Sequence, residues 1–295
     1  MKDLAILIPS YNRPEVLRAT IRSWIRTGND IIVTVECNNE KCAKEYKELL
    51  GSYGNVIYEV KLARLGSVKA RNRLMQKALE RGYEYMLMCD DDYFLPEPSM
   101  LRLIKAHFER DKTVGAAGGK VISIRRRRKD PDFFLNLPIA DALSETLGYV
   151  FLDVKHGPRH AKYLSPFYAL RSEVAKKVMY DPLFETPTGF REESDVHRQV
   201  RVLGYKLIFD PRVYVYHLAV EYGGNRPKIS EAERMYWKAR NQAIFIRKWS
   251  RSLVKSIWCL LSSTFLLIIY RPWYISWVFQ GTKDGINTHF IVPST

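Results

Sequence analysis

The densest chemical signal in the sequence is Met86-Leu87-Met88-Cys89-Asp90-Asp91-Asp92, an apolar run that ends in three adjacent carboxylates. Like charges this close repel unless a cation compensates them. A hard divalent metal, which prefers oxygen ligands, supplies that compensation. Alternate residues of an extended chain point the same way, so Asp90 and Asp92 are expected to face one site. A solvated acidic turn is the plainer alternative, and the motif by itself leaves both open. A second acidic group, Arg191-Glu192-Glu193-Ser194-Asp195, opens a helical pattern, where carboxylates also serve simply to complement the helix dipole. His217 ends a later apolar run; alone it reads as a packed histidine as readily as a ligand.

These groups need a scaffold. Through residue 124, strand-like runs (Leu4–Ile8, the β-branched Ile31–Val35, Val56–Val60, Tyr85–Cys89, Val114–Ile124) alternate with helical patterns (Pro14–Thr27, Cys42–Leu50, Ser67–Arg81, Met100–Glu109). Strands alternating with helices imply an α/β fold with a mostly parallel sheet covered on both faces. Such sheets bind ligands beyond the carboxyl ends of their strands. Ser10 to Arg13, Glu36 and Asp90 to Asp92 all fall at such ends. From Arg125 to about Ala161 the pattern weakens into a long, partly irregular excursion that opens with Arg125-Arg126-Arg127-Arg128-Lys129. That run reads as a solvated loop, a contact with anionic head groups, or a contact with a phosphorylated acceptor. A strand at Tyr168–Leu170, helices at Ser172–Val178 and near Asp195–Leu203, and two strand-like runs, Lys206–Phe209 and Val213–Tyr216, follow.

The chain has 295 residues and a formal charge of +15. Its composition is that of a folded globular protein and excludes a disordered or collagen-like chain. The charge points to an anionic partner: nucleic acid, a membrane surface or a phosphorylated substrate. Cys37, Cys42, Cys89 and Cys259 form no CxxC pair, which disfavours a zinc finger and a disulfide framework and favours a reducing compartment. The N-terminal MKDLAILIPS reads as a first buried strand, not a signal peptide. The last quarter differs. From Arg226 onward there are eleven basic and three acidic residues, a net +8, together with five of the six tryptophans. The uncharged run 256–270 has 15 residues, short of the ~20 that span a ~30 Å core. Clustered Trp and Tyr flanked by Lys and Arg suit a membrane interface; a hairpin packed on the protein or on a second copy, and a full span from Ser256 to Phe279, are the alternatives.

Taken in order, these blocks resemble those of a family 2 glycosyltransferase of the GT-A fold. Ile6-Leu7-Ile8-Pro9-Ser10-Tyr11-Asn12-Arg13 resembles the opening strand and nucleotide loop. Gly66 with Ala70-Arg71-Asn72 resembles the "G…ARN" helix start, and Asp90-Asp91-Asp92 the DxD motif. Glu192-Glu193-Ser194-Asp195-Val196 with Gly204-Tyr205 resembles the "EDxDL…GY" block. Asp210-Pro211 with His217 resembles the "P…H" strand, and Tyr236 with Arg240-Asn241 the "Y…RN" helix. The resemblance covers roughly residues 1–250, and it is specific through the order of the blocks.

The resemblance implies a Rossmann-like, mostly parallel sheet flanked by helices, in a catalytic domain of residues 1–228. Its nucleotide-sugar half runs to about 124 and its acceptor half follows. Residues 229–295 are then a helical, basic, Trp-rich extension that associates with membrane. The implied activity is metal-dependent, inverting transfer of a sugar from a nucleotide-diphosphate sugar to a hydroxyl, on a polyprenyl-linked or cell-surface glycan. Asp90 would contact the ribose or the metal, and Asp92 and His217 would ligate Mn²⁺ or Mg²⁺. Pro9, Ser10, Tyr11, Asn12, Arg13, Glu36, Gly66, Asp91 and Glu192 would line the donor site, with Arg71 near the diphosphate. Glu193 would be the general base. The family more often has Asp there, and the extra methylene moves the carboxylate by roughly 1.5 Å, so Asp195 stands as the alternative base. Glu36 replaces the usual Asp at the end of the second strand and leaves uridine, guanosine and thymidine open. The expected location is cytoplasmic, peripheral on the inner face of the cell membrane, with no nucleic-acid partner and with a homo-oligomer allowed. Two competing readings are a nucleotidyltransferase with a related sheet and a basic nucleic-acid-binding protein. The latter lacks any helix-turn-helix, zinc-finger or RNP signature.

Overall fold

The computed structural model describes residues 2–124, 136–218 and 229–290. The Arg125–Lys129 run lies outside them. The first half is the expected alternation. Strand β1 (Lys2–Tyr11), helix α1 (Pro14–Ile25), β2 (Asp30–Glu36), α2 (Glu40–Gly51), β3 (Val56–Lys61), α3 (Ser67–Glu80) and β4 (Tyr83–Met88) come in turn. They build a parallel block in the order β3-β2-β1-β4, with Ile6 level with Ile31 on one side and Leu87 on the other. Next come β5 (Tyr93–Phe94), α4 (Met100–Arg110), β6 (Val114–Ser123), α5 (Ala140–Leu147), β7 (Arg159–Ala161), β8 (Tyr168–Arg171), α6 (Ser172–Ala175), α7 (Glu192–Val202) and β9 (Lys206–His217). The sheet continues from β4 as β8-β6-β9-β5, with β7 also on β9. β8, β5 and β7 run against the other six strands.

Side-chain alternation divides the core into two layers. Ile6, Ile8, Val33 and Leu87 pack with Leu17 and Trp24 of α1, Tyr46 of α2 and Phe108 of α4. Leu7, Ile32, Met86 and Met88 pack with Leu74 and Ala78 of α3 and with Val196 and Val200 of α7. One expectation is filled in and one is corrected. The excursion 125–161 contains a helix, α5, and a strand, β7. The two runs at 206–209 and 213–216 are one strand, because the chain between them bulges: pairing shifts register between Gly118 and Lys120. Pro211 sits in that bulge, where its missing N–H costs no ladder bond. The Asp210 carboxylate holds the bulge together through Arg212 N and Nε, both at 3.0 Å, and His107 Nε2 at 2.9 Å.

Helices α8 (Glu231–Trp249), α9 (Leu253–Tyr270) and α10 (Ile275–Asn287) follow. Ser230 and Glu233 close a capping box at the start of α8. Gly281 and Gly285 let α10 lie directly on the α8 backbone at Tyr236 and Arg240, where a Cβ would collide with carbonyl oxygens. A third apolar cluster joins Tyr149, Phe151 and Phe190 to Met235, Ala239, Leu267 and Val278. The C-terminal helices therefore share a core with the segment that follows β6. Among the described residues, α9 is the one helix long and apolar enough to cross a membrane, with mean hydropathy 1.8 and only 17% of it buried.

Candidate active site

The carboxyl ends of β1, β2 and β4 meet in one place. Pro9 and Ser10 are buried at the end of β1, and Tyr11 and Asn12 continue it. Asn12 adopts φ +55°, a conformation asparagine tolerates better than most side chains. Its N–H donates to Glu36 O at 3.0 Å, and its Oδ1 accepts from Asn38 N at 3.1 Å. Tyr11 donates to Asn38 Oδ1 at 2.5 Å and carries the Arg64 guanidinium over its ring. Glu36 is 1% exposed. Its Oε2 accepts from Leu65 N (2.8 Å) and Gly66 N (3.3 Å), and its Oε1 is buried without a hydrogen-bond partner. Burial pushes its carboxyl up, against the two backbone donors.

The pleat of β4 distributes the three aspartates. Asp91 shares a side with Leu87 and Cys89 and meets α1: it accepts from Ser10 Oγ at 2.5 Å and pairs with Arg13, the residue before α1. Burial pushes the Asp91 carboxyl up, and Arg13 pulls it back. Thr20 Oγ1 holds the Asp91 carbonyl at 2.6 Å, and Trp24 Nε1 holds Tyr93 O at 2.9 Å, so α1 fixes this loop. Asp90 shares a side with Met86 and Met88 and meets α3: Arg71 Nη2 donates to its Oδ1 at 2.6 Å. Contrary to the extended chain expected from the sequence, the backbone does not stay extended through Asp92. A turn closed by Tyr93 N on Asp90 O (3.2 Å) intervenes. The short β5–β9 pairing then sets Tyr93 opposite His217. Asp92 Oδ2 comes to 3.2 Å from His217 Nε2 and 3.4 Å from Arg13 Nη1. Among the described residues no group of three or more His, Cys, Asp or Glu side chains is preassembled to hold a metal.

Arg71 ties the two acidic groups together. Its guanidinium is buried, with Glu193 Oε1 at 3.7 Å, Glu192 Oε1 at 3.8 Å and the Tyr180 ring centroid at 5.6 Å. Glu192 Oε2 also accepts from Ser67 Oγ at 3.1 Å. Asp195 faces elsewhere. It is fully buried among Lys248 Nζ (2.9 Å), Trp249 Nε1 (2.8 Å) and Gln199 Nε2 (2.8 Å). Burial raises its carboxyl and Lys248 opposes the rise. Glu193 therefore adjoins the Arg71–Asp90 pair, while Asp195 anchors α7 to α8.

The model for "Glycosyl transferase family 2" matches residues 5–178, more than half of the chain. The chain belongs to glycosyl transferase family 2. Of the readings open at the level of sequence, this selects glycosyl transfer. Solved structures agree on the fold. S. aureus TarS 1-349 aligns over 92% of this chain and 73% of its own, with TM-score 0.57 and 14% identity. GalNAc-T7 with UDP, GalNAc and Mn²⁺ aligns over 96% of this chain and 55% of its own, with TM-score 0.61 and 17% identity. Glucosyl-3-phosphoglycerate synthase from Mycobacterium tuberculosis, in complex with Mn²⁺, UDP and phosphoglyceric acid, aligns over 82% and 76%, with TM-score 0.50 and 16% identity. No curated protein matches the chain by sequence.

Three features of this glycosyltransferase were not found by reading its sequence. Glu185 accepts from Ser67 N (3.0 Å) and Val68 N (2.8 Å) at the start of α3. Gly66, at φ +95°, leaves it room, since a Cβ there would lie 2.5 Å from the Glu185 carboxyl carbon. A glycine before a helix start signals an anion partner, but nothing local names a residue 118 positions away. The Tyr180 backbone is held by the Asn72 side chain, whose Nδ2 donates to Tyr180 O and whose Oδ1 accepts from Tyr180 N, both at 2.8 Å, which places the Tyr180 ring against Arg71. Finally, α8 supplies the Asp195 anchors.

Proposed function

We propose that this enzyme transfers a sugar, with inversion, from a nucleotide-diphosphate sugar to an acceptor hydroxyl, and that Glu193 is the general base. The observation that carries the reading is the Asp90–Arg71–Glu193 arrangement at the carboxyl end of β4. It sets a carboxylate of the second acidic group beside the first. Glu36 Oε1, a buried acceptor without a partner, suits a nucleobase N–H, with Ser10 to Arg13 and Gly66 forming the surrounding wall. Arg71 offsets the repulsion among Asp90, Glu192 and Glu193, with Glu193 Oε1 3.7 Å from its guanidinium. Glu193 takes the acceptor proton as the hydroxyl attacks the anomeric carbon from the face opposite the leaving diphosphate, which inverts that centre. Asp195 is the weaker candidate, because three donors, Lys248, Trp249 and Gln199, already occupy its carboxylate.

Asp92 and His217 offer an oxygen and an imidazole donor side by side. That set fits Mn²⁺ or Mg²⁺ with further positions left for water and donor phosphate oxygens, and Asp90 is the third candidate ligand. A metal held there would neutralise charge on the departing diphosphate.

We also propose that the acceptor is lipid-linked and that α9 and α10 rest on an anionic membrane surface. Val254, Trp258, Leu261, Phe265 and Ile269 form an exposed apolar stripe on α9, and Trp273 is 85% exposed. An apolar groove of about 480 Å³ lies along this face between Leu147, Trp258, Leu261, Phe265 and Leu266. Patches of this kind mark interaction sites, and Arg251, Lys255, Arg271 and Lys283, which flank these helices in sequence or lie on them, favour anionic head groups.

The deciding experiment is transfer and nucleoside-diphosphate release across a panel of nucleotide sugars, with and without Mn²⁺, for the wild type and Glu193→Gln. Glu193→Gln is expected to lose about 10²–10⁴ in turnover with donor affinity nearly intact. Wild-type turnover in that variant would remove Glu193 from the mechanism.

A further inference from the structure

The residue that presents Glu192 and Glu193 sits in a costly conformation. Arg191 has φ +75°, in the left-handed region, which is unfavourable for a residue with a long side chain. It is also the N-cap of α7, where the helix amides disfavour a cation. Strain of this sort persists only where the surroundings impose it. Here the surroundings can be named. The Arg191 guanidinium lies 4.3 Å from the Phe190 ring centroid and 4.6 Å from that of Tyr149. Its Nε donates to Gln242 Oε1 at 2.6 Å. Gln242 is 2% exposed and is itself fixed, because its Nε2 donates to Gly148 O at 2.7 Å. The adjacent Asn241 braces the approach to Arg191 by donating to Phe190 O (2.9 Å) and Thr186 Oγ1 (3.0 Å).

We propose that Arg191 and Gln242 are positioning residues for the Glu193 carboxylate. The aromatic clamp and the Gln242 acceptor lock the left-handed turn, and the turn sets where the first residues of α7 emerge. Helix α8 is thereby part of the catalytic apparatus although it contributes no group to the reaction. The inference rests on the reading of Glu193 as the base. A base acts only when held in attack geometry, and a displacement of about 1 Å costs about 10²-fold in rate. Donor binding relies on β1, β2 and β4, which Gln242 does not touch, so the two kinetic constants should separate.

The test uses the full-length enzyme and Gln242→Met, which keeps the side chain's length and removes the acceptor. Turnover is expected to fall about 10- to 100-fold, while donor KM stays within about twofold and the melting temperature changes little. Gln242→Glu keeps an acceptor for Arg191 Nε but loses the donor to Gly148 O, so it is expected to recover part of that turnover. Arg191→Gly removes the clamped side chain and is at ease at φ +75°; it should show the same fall in kcat without a change in donor KM. It also serves as the second variant if Gln242→Met folds poorly. Wild-type kcat in folded Gln242→Met overturns the proposal. So does a fall in kcat, donor affinity and melting temperature together in both variants, which is what a purely structural contact would give. Glu193→Gln assayed alongside separates the two claims. An active Glu193→Gln removes the base reading itself, whereas an inactive Glu193→Gln beside a fully active Gln242→Met removes only this inference.

Discussion

Glu36→Gln should weaken nucleoside-diphosphate binding by about 10- to 150-fold. The figure follows from the geometry. Glu36 Oε2 is committed to the Leu65 and Gly66 amides, and Oε1 is buried with nothing to accept from. In glutamine the single carbonyl oxygen must stay on those two amides, so the new NH₂ points where Oε1 was. It then opposes a base N–H, donor against donor. A hydrogen bond to a charged group is worth about 1.5–3 kcal/mol, and about 1.4 kcal/mol is tenfold in affinity. The fold should not suffer. Burial holds the Glu36 carboxyl above its ordinary range. Its contribution to stability is therefore greatest below the ordinary glutamate pKa and is lost as pH rises through the elevated one, so at pH 7 a neutral amide costs little. The assay is titration calorimetry of the full-length enzyme with uridine, guanosine and thymidine diphosphates in the presence of Mn²⁺, with a melting curve for each protein. In the wild type, affinity should decline on acidification at a higher pH than an exposed glutamate would set, and in Glu36→Gln this dependence should vanish. Unchanged affinity for all three nucleotides at unchanged melting temperature would refute the assignment of Glu36 to the nucleobase.

Asp92→Asn and His217→Ala should each weaken the Mn²⁺-dependent part of donor binding and leave the metal-free part alone; equal loss with and without chelator would count against them as ligands. Asp210→Asn should cost about 2 kcal/mol at pH 7, because Arg212 and His107 outweigh burial and take the carboxyl to about 2. That contribution is present above the ordinary Asp value near 3.8 and disappears as pH falls toward 2, so acid denaturation of the variant should be flatter over this window. Truncation after Ser250 keeps α8 with its Asp195 and Arg191 contacts. It should abolish flotation with anionic vesicles; equal flotation of the truncated enzyme would end the membrane assignment of α9 and α10.

Much of this architecture can be read from the sequence because its first half is locally unambiguous. Leu4–Ile8 and Ile31–Val35 are short apolar runs, the second wholly β-branched, and they mark the sheet directly. The gathering of Ser10–Arg13, Glu36 and Asp90–Asp92 then follows from strand direction alone. What escapes is set by contacts between distant residues. The turn after Asp90 exists because β5 pairs with β9, 124 positions from Tyr93 to His217, and an extended reading of Asp90-Asp91-Asp92 cannot anticipate it. Asp195 and Glu193 look interchangeable as letters. Only Lys248 and Trp249, arriving on α8, distinguish them. The runs 206–209 and 213–216 read as two strands, whereas Asp210 supplies the hydrogen bonds that let one strand run through.

The parity of β4 has a consequence for how this sequence can drift. Asp90 reaches Arg71 and Asp91 reaches Arg13 because they project from opposite faces of the sheet. Deleting or adding one residue between Tyr83 and Asp90 would shift the three aspartates by one place, so that Arg71, Arg13 and His217 no longer each face a carboxylate. Any length change in this stretch therefore disturbs the site, and substitution is the easier path of variation. The strand works as a ratchet on ancestry: its letters can turn over while its count stays fixed.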